Sequence, residues 1–149
     1  IDLPITVALY TYAISKRRML DFVYGFLQKY LKPGSYEIIA SDTDSIIAAY
    51  QNRNIDELVK PEMLAEYHNG GKASFLAFDK FSNRTPGLFK IEMEATTIVA
   101  LCAKTYLAEN LEDESIKLST KGLSKRTNSY AVADFKGVLT TTTPASGVN

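Results

Sequence analysis

The chain has one cysteine, Cys102, in 149 residues. A lone thiol excludes an internal disulfide, and no Cys and His spacing suggests a structural zinc site. The one histidine, His68, precedes Asn69-Gly70-Gly71 and reads as a surface residue at a helix end, not a catalyst. No apolar run is long enough to cross a membrane, and no signal peptide is visible. A reducing intracellular compartment is the expectation, with no membrane partner. There is no internal repeat. Net charge is zero, 17 basic residues against 17 acidic, so charge alone does not announce a nucleic-acid binder. What is present is apolar: 46% of the chain is hydrophobic and 11% aromatic. That is enough for a core and unlike a disordered composition, at the length of one domain. The chain opens on Ile1 in what reads as the start of a helix and stops after a Thr run. Both ends are expected to be cut from something longer.

Periodicity predicts a long helix from Pro4 to Tyr30. Ile5, Leu9, Tyr12, Met19, Val23, Phe26 and Tyr30 fall at helical spacing and would form one apolar face. Lys16, Arg17 and Arg18 interrupt it as a basic cluster on a solvated or inter-subdomain face. Lys32-Pro33-Gly34 breaks the helix. Two β-prone runs come next, Tyr36 to Ala40 and Ser45 to Tyr50, around the turn-forming Ser41-Asp42-Thr43-Asp44. Ile55 to Tyr67 reads as helical with a break at Pro61, and Ala73 to Phe81 as another short helix. Arg84-Thr85-Pro86-Gly87 is a turn. Leu88 to Ala95 alternates with period two, which predicts a strand that turns Glu92 and Glu94 away from the core. One or two strands are expected within Thr96 to Ala108, with Cys102 as a small core side chain, and a short one over Ile116 to Ser119. Ser129 to Phe135 begins a helix, and Thr140 to Asn149 reads as loop. The fold class is α+β, an antiparallel sheet flanked by helices, as a partial domain.

Asp42 and Asp44 are the most informative pair. Two positions apart in an extended chain they share a face, where both carboxylates meet one or two hard cations. Two metals clamp the attacking and leaving oxygens of an in-line displacement. Asp-Thr-Asp at a hairpin tip is, however, most often a solvated turn. Two other metal-dependent enzyme classes use the same tripeptide. A haloacid-dehalogenase-type phosphatase places it after a parallel strand, usually before Gly-Thr and a helix, whereas here Ser45 opens a second strand. A nucleotide-sugar glycosyltransferase needs a nucleotide-binding half that the upstream sequence lacks.

Ser41-Asp42-Thr43-Asp44-Ser45 resembles motif C of the B-family DNA-directed DNA polymerases, Tyr-Gly-Asp-Thr-Asp-Ser, with Ala40 and Ser41 at the Tyr and Gly positions. Order and spacing extend the likeness. Gly87-Leu88-Phe89-Lys90-Ile91-Glu92 resembles the family's Gly-x-aromatic-x-x-Glu strand, and Lys104-Thr105-Tyr106 its Lys-x-Tyr motif. Lys117 and Lys121 to Arg126 resemble the family's next segment, a Lys-Gly stretch, and the Pro4–Tyr30 helix sits where the family has a palm helix. The flavour is that of the protein-primed branch of viruses, linear plasmids and Polinton-type transposons.

The resemblance implies a palm fragment. Residues 1–115 would be the C-terminal part of the palm, and 116–149 the palm-to-thumb transition and the start of the thumb. It implies Asp44 as principal metal ligand with Asp42 in support, both catalytic, holding two Mg²⁺ ions in the complete enzyme. Lys104, Tyr106, Lys121 and Lys125 would contact the primer along one surface leading from the acidic tip. The implied partners are a DNA primer-template, deoxynucleoside triphosphates and a terminal protein primer, in the nucleus or wherever the element replicates. Each basic residue also has a plainer reading, a solvated lysine beside a half-buried tyrosine. Motif A, Asp-x-x-Ser-Leu-Tyr, has no counterpart: Asp2 is followed by Leu3-Pro4 and Asp79 by Lys80-Phe81. Motif B is also missing. The fragment is therefore expected to be inactive alone, and a decayed mobile-element remnant is the non-enzymatic alternative.

Overall fold

A computed structural model describes residues 4–121 and 128–141. The protein is α+β, with a two-stranded and a three-stranded antiparallel sheet and several helices. It divides into two compact units between Lys90 and Ile91. The first carries helix α1 (Ile5–Leu20), a wide π turn (Asp21–Leu27), α2 (Gln28–Tyr30), strands β1 (Tyr36–Asp42) and β2 (Ser45–Tyr50), and the short α3 (Leu64–Glu66). The second carries β3 (Ala95–Cys102), β4 (Thr105–Asn110), β5 (Ile116–Ser119) and helix α4 (Val132–Thr141). β5 pairs with β4, so it belongs to the same sheet as the residues before position 115.

The expected long helix runs to Tyr30, and Phe26 and Tyr30 of the predicted face are buried, but the first half of that face is not. Ile5, Leu9 and Tyr12 are 67%, 64% and 61% exposed, and α1 buries no residue. Burial begins in the π turn, with Phe22, Phe26 and Leu27, and continues through Tyr30 and Leu31. A π turn accommodates one residue more than an α turn, which rotates the next helical turn by about 100°. The aromatic side chains of this helix that reach the core are Phe22, Phe26 and Tyr30, spaced by four.

That stripe is the spine of the first core. Phe22 stacks on Phe26 at 5.2 Å and on Phe89 at 4.1 Å between ring centroids, and Phe26 lies 6.0 Å from Tyr67. The helix end is tied to the next segment through the backbone. Lys32 N–H donates to the Leu58 carbonyl and Lys60 N–H to the Tyr30 carbonyl, at 2.9 and 2.8 Å. The Ile55–Tyr67 region is helical in short pieces, Ile55–Leu58, Pro61–Met63 and Leu64–Glu66, parted at Val59 and Lys60 by this bridge. Pro61 lacks an N–H and opens the second piece, where none is needed.

Three expectations fail in this part of the chain. Ala73 to Phe81 is not a helix: Leu76 bridges Phe89 in parallel, and Ala77 N–H donates to the Phe89 carbonyl at 2.8 Å. For the same reason Leu88 to Ala95 does not run as one strand; the ladder starts at Ala95, and Phe89 is held by the loop opposite. The third is Cys102, which is exposed at the end of β3 instead of buried. The second unit's core is Val99, Leu107 and Phe135, with Leu101, Leu118, Tyr130 and Val132 against it. Helix α4 reaches Thr141, two residues into the stretch expected to be loop.

Candidate functional site

β1 and β2 form a ribbon that closes in a two-residue turn. Asp42 pairs with Ser45, leaving Thr43 and Asp44 at the tip. The apolar runs on either side generate the ribbon, and Tyr36 and Ile46 pack it against the first core. A register shift between Ile38 and Ala40 inserts an extra residue and bends β1. The ribbon is two-stranded and separate from the three-stranded sheet in hydrogen bonding.

The tip also departs from the alternation argument. Thr43 has φ +44°, a left-handed conformation, and the chain reverses there. Asp42 therefore ends a strand while Asp44 belongs to the turn, and strand alternation does not run through the pair. Asp42 is half-buried and Asp44 exposed. The Thr43 hydroxyl donates to the Asp42 carboxylate at 3.1 Å, and the Ser45 hydroxyl to the Asp42 carbonyl at 3.2 Å. Beside the tip lies a shallow concavity of about 240 Å³ between Ser41 and Thr43 and the α1 residues Tyr12, Ser15, Lys16, Met19 and Leu20. The two carboxylates offer the oxygen donors a hard cation takes. No group of three or more Asp, Glu, His or Cys positioned for a metal occurs among the described residues.

The second candidate cluster is built the same way. β3 and β4 close through Ala103 and Lys104, and Lys104 has φ +65°. Lys104 is thus a turn residue and Tyr106 a strand residue, so these two also do not share a strand face by alternation. Lys104 is exposed and Tyr106 half-buried. Tyr106 pairs with Ala100 on one side and Ser119 on the other, and the Ser119 hydroxyl donates to the Lys104 carbonyl at 3.1 Å. The fold thereby brings Lys104 and Tyr106 to the end of β5, two residues before the exposed Lys121. Lys125, with Gly122 to Arg126, lies outside the described residues. Glu92 is exposed and Glu94 half-buried.

Sequence reasoning missed two polar centres in the first unit. Arg18, expected on a solvated or inter-subdomain face, is half-buried. Its Nε and Nη2 donate to the carbonyls of Gly87 and Ser74, each at 2.6 Å, and its guanidinium lies 4.6 Å from the Phe75 ring centroid. The signal that could have found it was spacing: Arg18 sits four residues before Phe22 on the buried stripe. The other centre joins Asp56, Tyr67 and Lys72. The buried Tyr67 hydroxyl donates to Asp56 at 2.7 Å, and Lys72 Nζ reaches both carboxylate oxygens at 2.6 and 2.8 Å. Partial burial raises the Asp56 carboxyl, but the bonds from Lys72 and Tyr67, with the Lys72 charge, outweigh it and hold the group below its ordinary value. Burial, and then the bond to Asp56, push the Tyr67 hydroxyl up.

No protein-family model, curated protein or solved structure matches the chain.

Proposed function

We propose that this chain is part of a B-family DNA-directed DNA polymerase of the protein-primed type, which adds deoxynucleotides to a primer 3′-hydroxyl on a template. The observation that carries the reading is the Tyr36–Tyr50 ribbon with Asp42 and Asp44 at its tip. The order of the later segments supports it. Gly87 to Glu92 comes first, then Lys104-Thr105-Tyr106 at the turn of a second hairpin, then Lys121 after β5.

In this reading Asp44 is the principal carboxylate and Asp42 its support. They would hold Mg²⁺, which would supply positive charge to the oxygens of nucleotidyl transfer. Two carboxylates do not complete such a site, so the remaining ligand has to come from another segment of the enzyme. This chain's own residues present the carboxylates at an exposed turn, offer a phosphate the Lys104 ammonium, and set Tyr106 beside it against the primer end. Lys121 and Lys125 continue the phosphate contacts.

The test is made in a complete enzyme carrying this segment. Asp44→Asn abolishes primer extension and leaves primer-template binding largely intact; a parallel fall in binding would make Asp44 structural and defeat the reading. Lys104→Ala weakens DNA binding regardless of sequence and makes the slope of log affinity against log salt shallower by roughly one unit. An unchanged slope returns Lys104 to an ordinary solvated lysine. Residues 1–149 alone do not extend a primer.

A further inference from the structure

The segment from Ser74 to Phe89 is a loop closed at its base and wired at its tip. Arg18 bonds the carbonyls of Ser74 and Gly87, which lie at its two ends. Phe89 N–H donates to the Phe75 carbonyl and Ala77 N–H to the Phe89 carbonyl, both at 2.8 Å. At the tip, the Asp79 carboxylate accepts from Phe81 N–H at 2.9 Å and Ser82 N–H at 2.7 Å. The Ser82 hydroxyl oxygen accepts in turn from the N–H groups of Phe78 and Asp79, at 2.9 and 3.0 Å. A short helical turn, Ser82–Arg84, completes it. This tip displays two aromatic rings to solvent: Phe81 is 90% exposed and Phe78 55% exposed.

A scattered apolar side chain at the surface needs no explanation. A ring held almost wholly in solvent on a loop whose every turn is fixed by hydrogen bonds is a different case. The ordering cost of binding has been met in advance, which is what makes an exposed aromatic an effective anchor. The surrounding charge selects the partner. From Asn69 to Ile91 the bases are Lys72, Lys80, Arg84 and Lys90, and the one acid is Asp79. Lys72 is engaged by Asp56, and Asp79 is held by the backbone, while Lys80, one residue before Phe81, and Arg84, three after it, are exposed. An exposed ring on a loop that also carries exposed cations suits an unpaired base on its face and phosphates at the neighbouring charges.

We infer that the Phe78–Arg84 tip binds single-stranded nucleic acid, with a base stacked on Phe81 and phosphates contacted by Lys80 and Arg84. This uses neither Asp42 nor Asp44, so it stands or falls separately from the polymerase reading. The whole chain is titrated with labelled oligothymidylate, oligouridylate and an abasic strand of the same length. Phe81→Ala lowers affinity for the two base-bearing strands roughly tenfold and leaves the abasic strand unchanged. Lys80→Gln with Arg84→Gln weakens all three and makes the salt slope shallower by about 1.4 units, roughly 0.7 per phosphate contact. Because the chain has no tryptophan, Phe81→Trp gives a single indole, quenched by the base-bearing strands and not by the abasic one. The DNA and RNA strands together show which sugar the tip accepts. No affinity for any strand, an equal loss on the abasic strand, or an unquenched indole would overturn the inference; the first would assign the exposed ring to a protein partner instead.

Discussion

Arg18 and the Asp56–Tyr67–Lys72 centre show what single side chains contribute. Arg18 carries two carbonyl bonds that no other residue type satisfies in this geometry, because a lysine has no planar fork. Arg18→Ala is expected to destabilise the chain by about 1–3 kcal/mol, and Arg18→Lys to recover little of it, as read from urea unfolding midpoints. Asp56 gives a pH signature. Its ordinary value is 3.8 and the folded value lies below it. Its contribution is therefore complete above the ordinary value and lost as pH falls through the folded one. The melting-temperature difference between wild type and Asp56→Asn should be largest near neutral pH and shrink as pH falls below the ordinary carboxylate value. A constant difference would mean that the Lys72 and Tyr67 contacts do not depend on the Asp56 charge.

Among the elements, the turns carry the strain. Thr43 is β-branched and left-handed at φ +44°, a conformation that costs such residues roughly 1 kcal/mol. Thr43→Asn is expected to stabilise the ribbon by about 0.5–1 kcal/mol, since Asn tolerates that region. Loss of stability would show that the Thr43 hydroxyl bond to Asp42 outweighs the strain. Where the helical pieces meet, the constraint is space. A Cβ on Gly71 would lie 2.6 Å from the Tyr30 hydroxyl and 2.9 Å from the Glu66 carbonyl oxygen. Gly71→Ala must push apart the end of α2 and the end of α3, and a loss of roughly 1–3 kcal/mol is expected in thermal unfolding.

For the whole molecule, the two cores are separate in sequence. Every residue of the first core, from Phe22 to Tyr67, and those packed on it, to Phe89, fall before Ile91. Residues 1–90 expressed alone are therefore expected to fold, with near-ultraviolet ellipticity from the Phe and Tyr cluster and a cooperative melt. A featureless, gradual transition would show that the first core needs the second unit.

The acidic ribbon, the breaks at Lys32 to Gly34 and at Pro61, and β5 were all legible in the sequence, because β-branched runs, Pro and Gly act within a few residues. So were Asp42 and Asp44 at a hairpin tip. Period-two reasoning made same-face pairs of Asp42 with Asp44 and of Lys104 with Tyr106; the backbone reverses at Thr43 and at Lys104, and neighbouring residues do not announce a left-handed turn when it is not built on glycine. Helical spacing alone did not separate the exposed Ile5, Leu9 and Tyr12 from the buried Phe26 and Tyr30 of the same predicted face. The fate of residues 73–95 was decided by partners far along the chain, since Arg18 and Phe22 hold Ser74, Gly87 and Phe89. Local chemistry fixes elements and their ends. Which side chains meet, and which ring is left in solvent, depends on contacts across long separations that no short window of sequence contains.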